Sequence, residues 1–297
     1  MLSYDYCREM NKHIPVLLNE VVGALTPSDG KVYFDGTFGG GGYSRAILEK
    51  ANCSVIACDR DELVKPIAEK LKEEFLSNFS FAHSKFSNIK EILKEQNIEK
   101  LDGIVLDLGL SNFQLEDEAR GFSFNSKGDI DMTMGLCDES AKDIIHRCSE
   151  EHLANIIYSL GEERFSRRIA RNIKKNLKKI KTAEDLANVI RSCVKRSGKI
   201  DPATKTFQAL RIFVNQELEE LKTVLNVSVE LLNPGGKIIV VSFHSLEDRI
   251  VKTFFKKQGM NKDLFLVLTK KPISPSKEEI LENPKSRSAK MRCLLKL

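Results

Sequence analysis

The chain has 297 residues, of which 41% are hydrophobic and 30% charged, enough for one large domain or two smaller ones. Its 47 basic and 42 acidic residues leave a net charge of only +5, so a polyanionic partner must be met by local patches. Seven cysteines without a CxxC pair or metal-ligand spacing indicate reduced thiols, a cytoplasmic protein and no metal. No apolar run is long enough to cross a bilayer, so we expect no membrane partner.

The segment 31–42 (KVYFDGTFGGGG) joins an apolar run to an acid, Asp35, and then to four glycines and a helical stretch. This order is typical of a nucleotide-cofactor domain, because glycine permits positive φ and close backbone approach to a ligand. The loop lacks the Lys-Ser/Thr pair of an ATP-binding P-loop and fits the dinucleotide spacing poorly. Asp35 repels phosphate but attracts an amino or sulfonium group, which favours S-adenosylmethionine over NAD. A tightly packed strand-to-helix turn is the structural alternative.

Strand-like runs alternate with helical periodicity in the first third of the chain and again near its end. The predicted strands are 32–34, 54–58, 79–83, 102–107, 237–243, 265–272 and 289–297. The predicted helices are 43–50, 66–76, 86–97, 164–181, 205–232 and 246–258. Such alternation favours a mostly parallel sheet with helices on both faces. Seven strands in this arrangement resemble the α/β, Rossmann-like class I methyltransferase fold.

More than a hundred residues separate the fourth and fifth predicted strands, which indicates an inserted all-helical subdomain. We therefore divide the chain into a cofactor domain, 1–135 with 205–297, and an insertion, 136–204. The segment 164–181 has nine basic residues and no acid, and an apolar stripe of Phe165, Ile169, Ile173, Leu177 and Ile180. A solvated basic face and a phosphate-contacting surface both fit this pattern. RNA or DNA is favoured by further basic residues at Lys195, Arg196, Lys199, Lys285, Arg287, Lys290 and Arg292.

A series of motifs follows in order along nearly the whole chain. They are HIPVLLNEVV (13–22), DGTFGGGGYSRAIL (35–48), CDRD (58–61), LDGIVLDLG (101–109), RGFSF (120–124), DIDMTM (129–134), GEERFSRRIARNI (161–173), DPATKTFQALRIFVNQELEEL (201–221) and SFHSLEDRIVK (242–252). Together they resemble the RsmH family, also called MraW, bacterial methyltransferases that act on N4 of a cytidine in the decoding region of small-subunit ribosomal RNA. The resemblance implies S-adenosyl-L-methionine as cofactor and 16S ribosomal RNA, within the small ribosomal subunit, as partner.

The resemblance also implies a set of cofactor-binding residues: Gly41, Gly42, Tyr43, Asp59, Phe86, Asp107 and Gln114. Asp59 has the strongest independent case, because a carboxylate at a strand end accepts hydrogen bonds from both ribose hydroxyls. Asp107 ends the fourth predicted strand, where open α/β sheets bind ligands. Phe86 fits a core aromatic equally well, and Gln114 fits a polar loop residue.

Methylation of the cytosine amine requires in-line alignment with the sulfonium methyl and an acceptor for the amine hydrogens. Enzymes that methylate base amino groups often carry an Asp/Asn/Ser-Pro-Pro-aromatic loop after the fourth strand. The same place here holds DLGLSNF, so Asn112 and Phe113 are candidates for the polar and aromatic roles. Asp131 is a further candidate acceptor. His244 is another candidate, although a lone histidine is more often structural.

The chain departs from the family pattern at several positions. Tyr43 replaces a histidine, Asn112-Phe113 replaces Ser-Pro, and Thr133 and Gly135 replace Arg and Asp. The first change keeps a polar ring, whereas the others lie near the expected base site and affect substrate geometry more than the reaction.

Two other function classes stay open: an RNA-binding or ribosome-assembly factor, and a nicotinamide oxidoreductase. Detection of methyl transfer would exclude the first. The mass of the bound cofactor would distinguish the second.

Overall fold

The computed structural model describes residues 15–195 and 200–297. The described residues fall into two compact units, 15–109 with 218–297, and 110–195 with 200–217. The strands are β1 Val32–Asp35, β2 Ser54–Asp59, β3 Phe79–His83, β4 Leu101–Asp107, β5 Leu232–Ser242, β6 Phe265–Val267 and β7 Lys290–Lys296. The helices are α1 Leu18–Leu25, α2 Gly42–Lys50, α3 Lys65–Phe75, α4 Ile89–Glu95, α5 Asn112–Glu116, α6 Ala141–Arg147, α7 Glu150–Gly161, α8 Ser166–Asn176, α9 Ala183–Cys193, α10 Thr204–Asn215, α11 Glu217–Leu231, α12 Ser245–Gln258 and α13 Lys277–Glu282. Within these described ranges, no helix has both the length and the apolar character needed to span a membrane.

The first unit contains one seven-stranded sheet with the strand order β3-β2-β1-β4-β5-β7-β6. Strands β1 to β5 pair in parallel, and β7 pairs antiparallel with both β5 and β6. The predicted seven-stranded, mostly parallel sheet is therefore confirmed. The strand order changes direction at β1, which pairs with both β2 and β4, and open α/β sheets bind ligands at the carboxyl ends of strands beside such a point.

Alternate residues of the central strands enter two separate cores, one on each face of the sheet. Val55 and Ala57 of β2 pack on one face with side chains of α1, α2 and α3. Ile56 and Cys58 pack on the other face with side chains of α4, α11 and α12. This period of two arises because successive side chains in a strand point to opposite faces, and helices cover both.

Two strands differ in length from the sequence prediction. β5 begins at Leu232 rather than at 237, through an irregular stretch with a left-handed Gly235 (φ 80°). β6 ends at Val267 rather than at 272. There the Thr269 hydroxyl accepts the Cys293 amide at 2.8 Å, so a side chain replaces a backbone ladder bond.

The second unit is built from α5 to α10 around its own core of isoleucine, leucine and alanine side chains. Its span, Leu110–Glu217, is wider than the insertion predicted at 136–204. The physical reason is that Phe122, Ile130 and Phe207, which flank the predicted insertion, are buried in this same core.

The helix predicted over 205–232 is wrong in one respect, because the structure divides it into α10 and α11. Gln216 between them is left-handed, with φ 53°. The preceding Asn215 is fully buried; its side chain donates to the Met132 carbonyl and accepts the Met134 amide, both at 2.7 Å. These bonds satisfy backbone groups of a neighbouring segment, so the break is a packing feature of the second unit.

Candidate functional site

Three acids lie at the carboxyl edge of the sheet in the first unit. Asp35 ends β1, Asp59 ends β2 and Asp107 ends β4. The register pairs Asp35 with Ala57 of β2 and with Val105 of β4, which places all three carboxylates at the same edge. The strand order changes direction here, so this edge is where a ligand is expected.

The glycine-rich loop after β1 is fixed to this edge by backbone hydrogen bonds. The Gly36 amide donates to Val105 O and the Phe38 amide to Cys58 O, each at 3.0 Å. Gly41 is left-handed (φ 75°) and precedes the first residue of α2. The loop therefore presents the free amides at the start of a helix beside the three acids, which suits a polar ligand.

Asp35 supports the loop from inside. Its side chain is completely buried, and its two oxygens accept the Ser44 hydroxyl at 2.7 Å and the Thr37 amide at 3.2 Å. Burial raises the pKa of Asp35 to about 6. Asp35 thus binds donors of this chain, Ser44 and Thr37, and the expectation that it attracts a cationic ligand group stays a prediction. Sequence reasoning missed Thr37, whose position between an acid and the glycines was the available signal.

Asp59 combines an internal role with spare acceptor capacity. One carboxylate oxygen accepts the Gly39 amide at 2.7 Å and the other accepts the Asp61 amide at 2.9 Å. Burial raises the pKa of Asp59 above its ordinary value. The Arg60 backbone also bonds to Asp59, and an ionised carboxylate has about four lone-pair positions, so acceptor capacity for a ligand hydroxyl remains.

Asp107 has the most unusual environment of the three acids. Burial, followed by the nearby Asp35 carboxylate, raises the pKa of Asp107 to about 7. Its amide donates to the Thr37 hydroxyl at 2.7 Å, whereas its buried Oδ1 has no hydrogen-bond partner among the described residues. A buried acceptor without a donor is costly, so Oδ1 is suited to a ligand that supplies one.

Gly42, Tyr43 and Phe86 complete the predicted residues of the first unit. A Cβ on Gly42 would lie 2.1 Å from Pro15 Cγ, so only glycine fits there. The Tyr43 ring is buried and its hydroxyl donates to the Val16 carbonyl, which leaves its backbone amide, at the start of α2, as the group able to meet a ligand. Phe86 is half-buried beside Gly36 at the end of β1.

The remaining predicted residues belong to the second unit. Gln114 is buried, and its side chain accepts the Ser111 amide at 3.1 Å in a capping box at the start of α5. Asn112 begins the same helix, but its side chain lies outside the described part of the chain. The Asp131 carboxylate accepts the Thr133 hydroxyl at 2.8 Å.

His244 has a structural role. It precedes α12, where its Nδ1 accepts the Glu247 amide at 3.4 Å and the Glu247 carboxylate accepts the Phe243 amide at 2.8 Å. The histidine and the glutamate thus satisfy amides at the start of the helix in a reciprocal capping box. The Nδ1 of His244 is therefore occupied by a backbone contact, and its Nε2 lies 3.1 Å from a Glu247 carboxylate oxygen. The structural interpretation of His244 stays a prediction.

The basic segment predicted as one helix over 164–181 forms α8 and then a 3-10 turn, Leu177–Lys179. Ile169, Ile173 and Ile180 are buried as the stripe predicts, but Phe165 is exposed, so that part of the prediction is wrong. We define the basic face of α8 as its exposed residues that have no acidic partner among the described residues: Arg167, Arg168 and Lys175.

Not every basic residue of this segment is available to a partner. Arg171 lies 3.3 Å from the Glu150 carboxylate. Lys174 donates to the Ile145 carbonyl at 2.6 Å and to the His146 carbonyl at 3.2 Å, at the end of α6. Lys174 therefore serves the second unit's own packing, and burial lowers its pKa.

The second basic stretch, near the end of the chain, is only partly a surface patch. Arg292 is buried and donates to both oxygens of Asp248, at 2.7 and 3.3 Å. Lys290 lies 3.5 Å from the same carboxylate. The prediction of a phosphate contact is therefore wrong for Arg292. Of the other predicted basic residues, Lys195 is exposed, and Arg196 and Lys199 lie outside the described residues.

Comparison with known proteins decides the family. The model of the MraW methylase family matches residues 10–297. The chain belongs to the MraW methylase family. A relative from Ehrlichia chaffeensis, named ribosomal RNA small subunit methyltransferase H, is 52% identical over 96% of this chain and 100% of its own length. A relative of the same name from Anaplasma phagocytophilum is 47% identical over 97% of this chain and 99% of its own length.

Solved structures with lower similarity were also found. An rRNA methylase from Streptococcus thermophilus covers 100% of this chain and 99% of its own, with 10% identity and a TM-score of 0.44. A Streptococcus mutans protein solved in complex with SAH covers 96% and 100%, with 14% identity and a TM-score of 0.47. Membership of the MraW methylase family, together with the sheet order, confirms the predicted class I methyltransferase fold and S-adenosylmethionine as the cofactor.

Proposed function

We propose that this chain transfers a methyl group from S-adenosylmethionine to N4 of a cytidine in the decoding region of 16S ribosomal RNA, in the cytoplasm. The observation that carries the proposal is membership of the MraW methylase family across residues 10–297. The coarser activity, methylation of small-subunit ribosomal RNA, also has the support of relatives about half identical that are named for it. The N4 position and the decoding region come from the motif resemblance.

The edge formed by the three acids fits the cofactor. Asp59 has acceptor capacity for the ribose hydroxyls, and the unpartnered Oδ1 of Asp107 takes a donor from the ligand. Gly41, Gly42 and the Tyr43 amide supply polar backbone beside them, and Phe86 supplies an apolar surface. We assign these residues to the cofactor, and the motif resemblance adds Gln114 to them. Bound there, the cofactor supplies an electrophilic methyl group on a sulfonium.

The amine of cytosine is a weak nucleophile because its lone pair is delocalised into the ring. Alignment of this nitrogen with the methyl carbon supplies much of the rate, since positioning replaces a bimolecular encounter. An acceptor for an amine hydrogen stabilises the positive charge that forms on nitrogen during transfer. We assign this acceptor role to Asn112, with Asp131 as the alternative. A duplex base cannot reach a buried methyl group, so the cytidine is presented unpaired.

Asn112 and Asp131 can be separated by single-turnover kinetics. We expect Asn112→Ala to lower the rate of methyl transfer at least tenfold with unchanged cofactor affinity, because the lost contact exists in the transition state. Asp131→Asn is the matched variant, since it keeps the size of the side chain and an oxygen for the Thr133 hydroxyl. A wild-type rate in Asn112→Ala and a reduced rate in Asp131→Asn would transfer the acceptor role to Asp131.

We further propose that the second unit binds RNA through the basic face of α8. Arg167, Arg168 and Lys175 are exposed on one helix, whereas Lys174 is engaged within the unit. Exposed cations without acidic partners attract phosphates and release counterions when they bind them. The mild net charge of the whole chain, +5, makes such a local face more informative than the overall composition.

The triple variant Arg167→Gln, Arg168→Gln and Lys175→Gln tests this surface. We expect weaker RNA binding and a salt slope, log Kd against log salt concentration, that is shallower by up to about 3, about 1 for each lost phosphate contact. Fluorescence anisotropy of a labelled RNA fragment across a salt series measures both quantities.

A matched control removes the same number of charges elsewhere. Lys252, Lys256 and Lys257 are exposed on α12 of the first unit. Substitution of all three by glutamine lowers the net charge equally but leaves α8 intact. Equal salt slopes in the two triple variants would show that α8 contributes only general charge, against the proposal.

A further inference from the structure

Phe165 is an exposed aromatic side chain immediately before α8. The sequence pattern places it on the buried stripe of that helix, yet 37% of it is exposed. The Arg164 guanidinium lies over its ring, 4.5 Å from the ring centroid. Exposed phenylalanine is costly in water, and a guanidinium over its face keeps a flat, cationic surface in place.

The backbone that carries Phe165 is held by several contacts within the second unit. A Cβ on Gly161 would lie 2.4 Å from the Lys205 carbonyl oxygen, so the end of α7 packs closely on α10. Glu162 is left-handed (φ 49°), and its carbonyl accepts Lys205 Nζ at 2.8 Å. The buried Glu163 carboxylate then accepts the Phe165 amide at 2.8 Å.

These contacts hold the backbone of Phe165 in place before any partner arrives. The hydrogen bond from its amide to the Glu163 carboxylate and the close packing of Gly161 restrict this backbone in the free protein. A residue whose backbone is already ordered loses less conformational entropy on binding, which favours a recognition role. Arg168 follows three residues later on the basic face of α8, about one helical turn away, where it can meet a phosphate.

We infer that Phe165 and Arg164 form a stacking site for an unpaired base of the RNA. Aromatic rings and guanidinium planes stack on unpaired bases, whereas bases inside an A-form duplex are not accessible to them. The inference rests on the proposed function, since it takes RNA as the partner, and it adds selectivity for single-stranded RNA. The basic face of α8 binds the phosphates of single-stranded and of duplex RNA. The stacking site contacts only the unpaired bases of single-stranded RNA.

The chain contains no tryptophan, which permits a direct optical test. In the full-length Phe165→Trp variant, we expect a single-stranded RNA oligonucleotide to quench the tryptophan emission, because a stacked base quenches indole. The same oligonucleotide annealed to its complement is expected to leave the emission unchanged at saturation, with saturation established by anisotropy. Tyr158→Trp is the matched control: Tyr158 is 63% exposed on α7, and no arginine of the described residues lies over its ring.

Affinity measurements give a second readout. We expect Phe165→Leu to weaken single-stranded RNA binding about tenfold, since stacking on one aromatic is worth about 1–3 kcal/mol. Arg164→Lys keeps the positive charge but removes the planar guanidinium group. It is therefore expected to weaken single-stranded RNA binding with an unchanged salt slope. Both variants keep wild-type cofactor affinity and wild-type duplex binding, which also shows that they are folded.

The possible outcomes separate the two proposals. RNA binding without quenching in Phe165→Trp, or equal quenching by duplex, overturns the stacking site and leaves methylation intact. Equal quenching in Tyr158→Trp also overturns it, because the effect then does not depend on the arginine-backed ring. Quenching by single-stranded RNA without any methyl transfer overturns the proposed function and leaves the stacking site supported.

Discussion

Asp107→Asn is expected to make the protein more stable at pH 8 and less able to bind its cofactor. The pKa of Asp107 is raised from 3.8 to about 7, so the folded state holds this proton more tightly than the unfolded state. Stability from this group is therefore present at low pH and is lost as pH rises from about 4 to about 7. At about 1.4 kcal/mol per tenfold change in proton affinity, the loss amounts to about 4 kcal/mol.

Asparagine removes the charge and keeps the shape, so the variant avoids this loss. Urea unfolding of the protein without cofactor, at pH 5 and pH 8, measures it. We expect the free energy of unfolding of the variant to exceed that of the wild type at pH 8, and by less than half as much at pH 5, because the loss begins near pH 4. A less stable variant at pH 8 would mean that the hydrogen bonds from Gly109 and Tyr43 stabilise the ionised carboxylate more than burial destabilises it.

The second half of this prediction concerns binding. If the ionised Oδ1 of Asp107 accepts a donor from S-adenosylmethionine, the wild-type affinity rises with pH through about 7, and the variant loses both affinity and this rise. Asp59→Ala is the control. It loses an acceptor worth about 1.5–3 kcal/mol, yet it retains the rise near pH 7. Calorimetry over a pH series distinguishes the two acids.

Gly42→Ala is expected to disrupt the cofactor site by steric overlap. The added Cβ would lie 2.1 Å from Pro15 Cγ and 2.8 Å from Pro15 Cδ, and a proline ring cannot rotate away. Either α2 or the segment 15–17 must shift, which strains the bond from the Tyr43 hydroxyl to the Val16 carbonyl. Overpacking costs about 1–3 kcal/mol, and we expect a lower Tm together with at least tenfold weaker cofactor binding.

Gly23→Ala provides the comparison. Gly23 lies exposed in α1, with no atom within 4 Å of the position of its added Cβ. Alanine is favoured over glycine in a helix by up to about 1 kcal/mol, so this variant is expected to be slightly stabilised with wild-type cofactor affinity. Calorimetric unfolding and cofactor titration measure both variants. Equal Tm and affinity in Gly42→Ala and the wild type would contradict the steric argument.

The sheet was predictable because short apolar runs, typical of strands, alternate along the chain with segments of helical periodicity. Val55, Ile56 and Ala57 enter both cores, so their run is continuously apolar and easy to recognise. The acids that end β2 and β4 were also predictable, since the carboxyl ends of strands are set by local pattern. By contrast, the burial of Asp35 depends on Ser44 and Thr37 closing over it, which is a tertiary event.

Other features depended on contacts distant in the sequence. The division between α10 and α11 follows from the bonds of Asn215 to Met132 and Met134, which helical periodicity cannot reveal. The loss of Arg292 as a surface cation follows from its pairing with Asp248, more than forty residues away. Phe165 fitted the apolar stripe by spacing, but its position before the first residue of α8 turns it outward.

The central claim, N4 methylation of a cytidine, is tested most directly by nucleoside mass spectrometry. Small subunits from a strain lacking this enzyme are incubated with the purified full-length chain and isotope-labelled S-adenosylmethionine, and the labelled nucleotide is mapped in the RNA. We expect label in N4-methylcytidine at a single position of the decoding region, and less of it with the Gly42→Ala variant at limiting cofactor. Label on a ring carbon, on a ribose or on another base would contradict it.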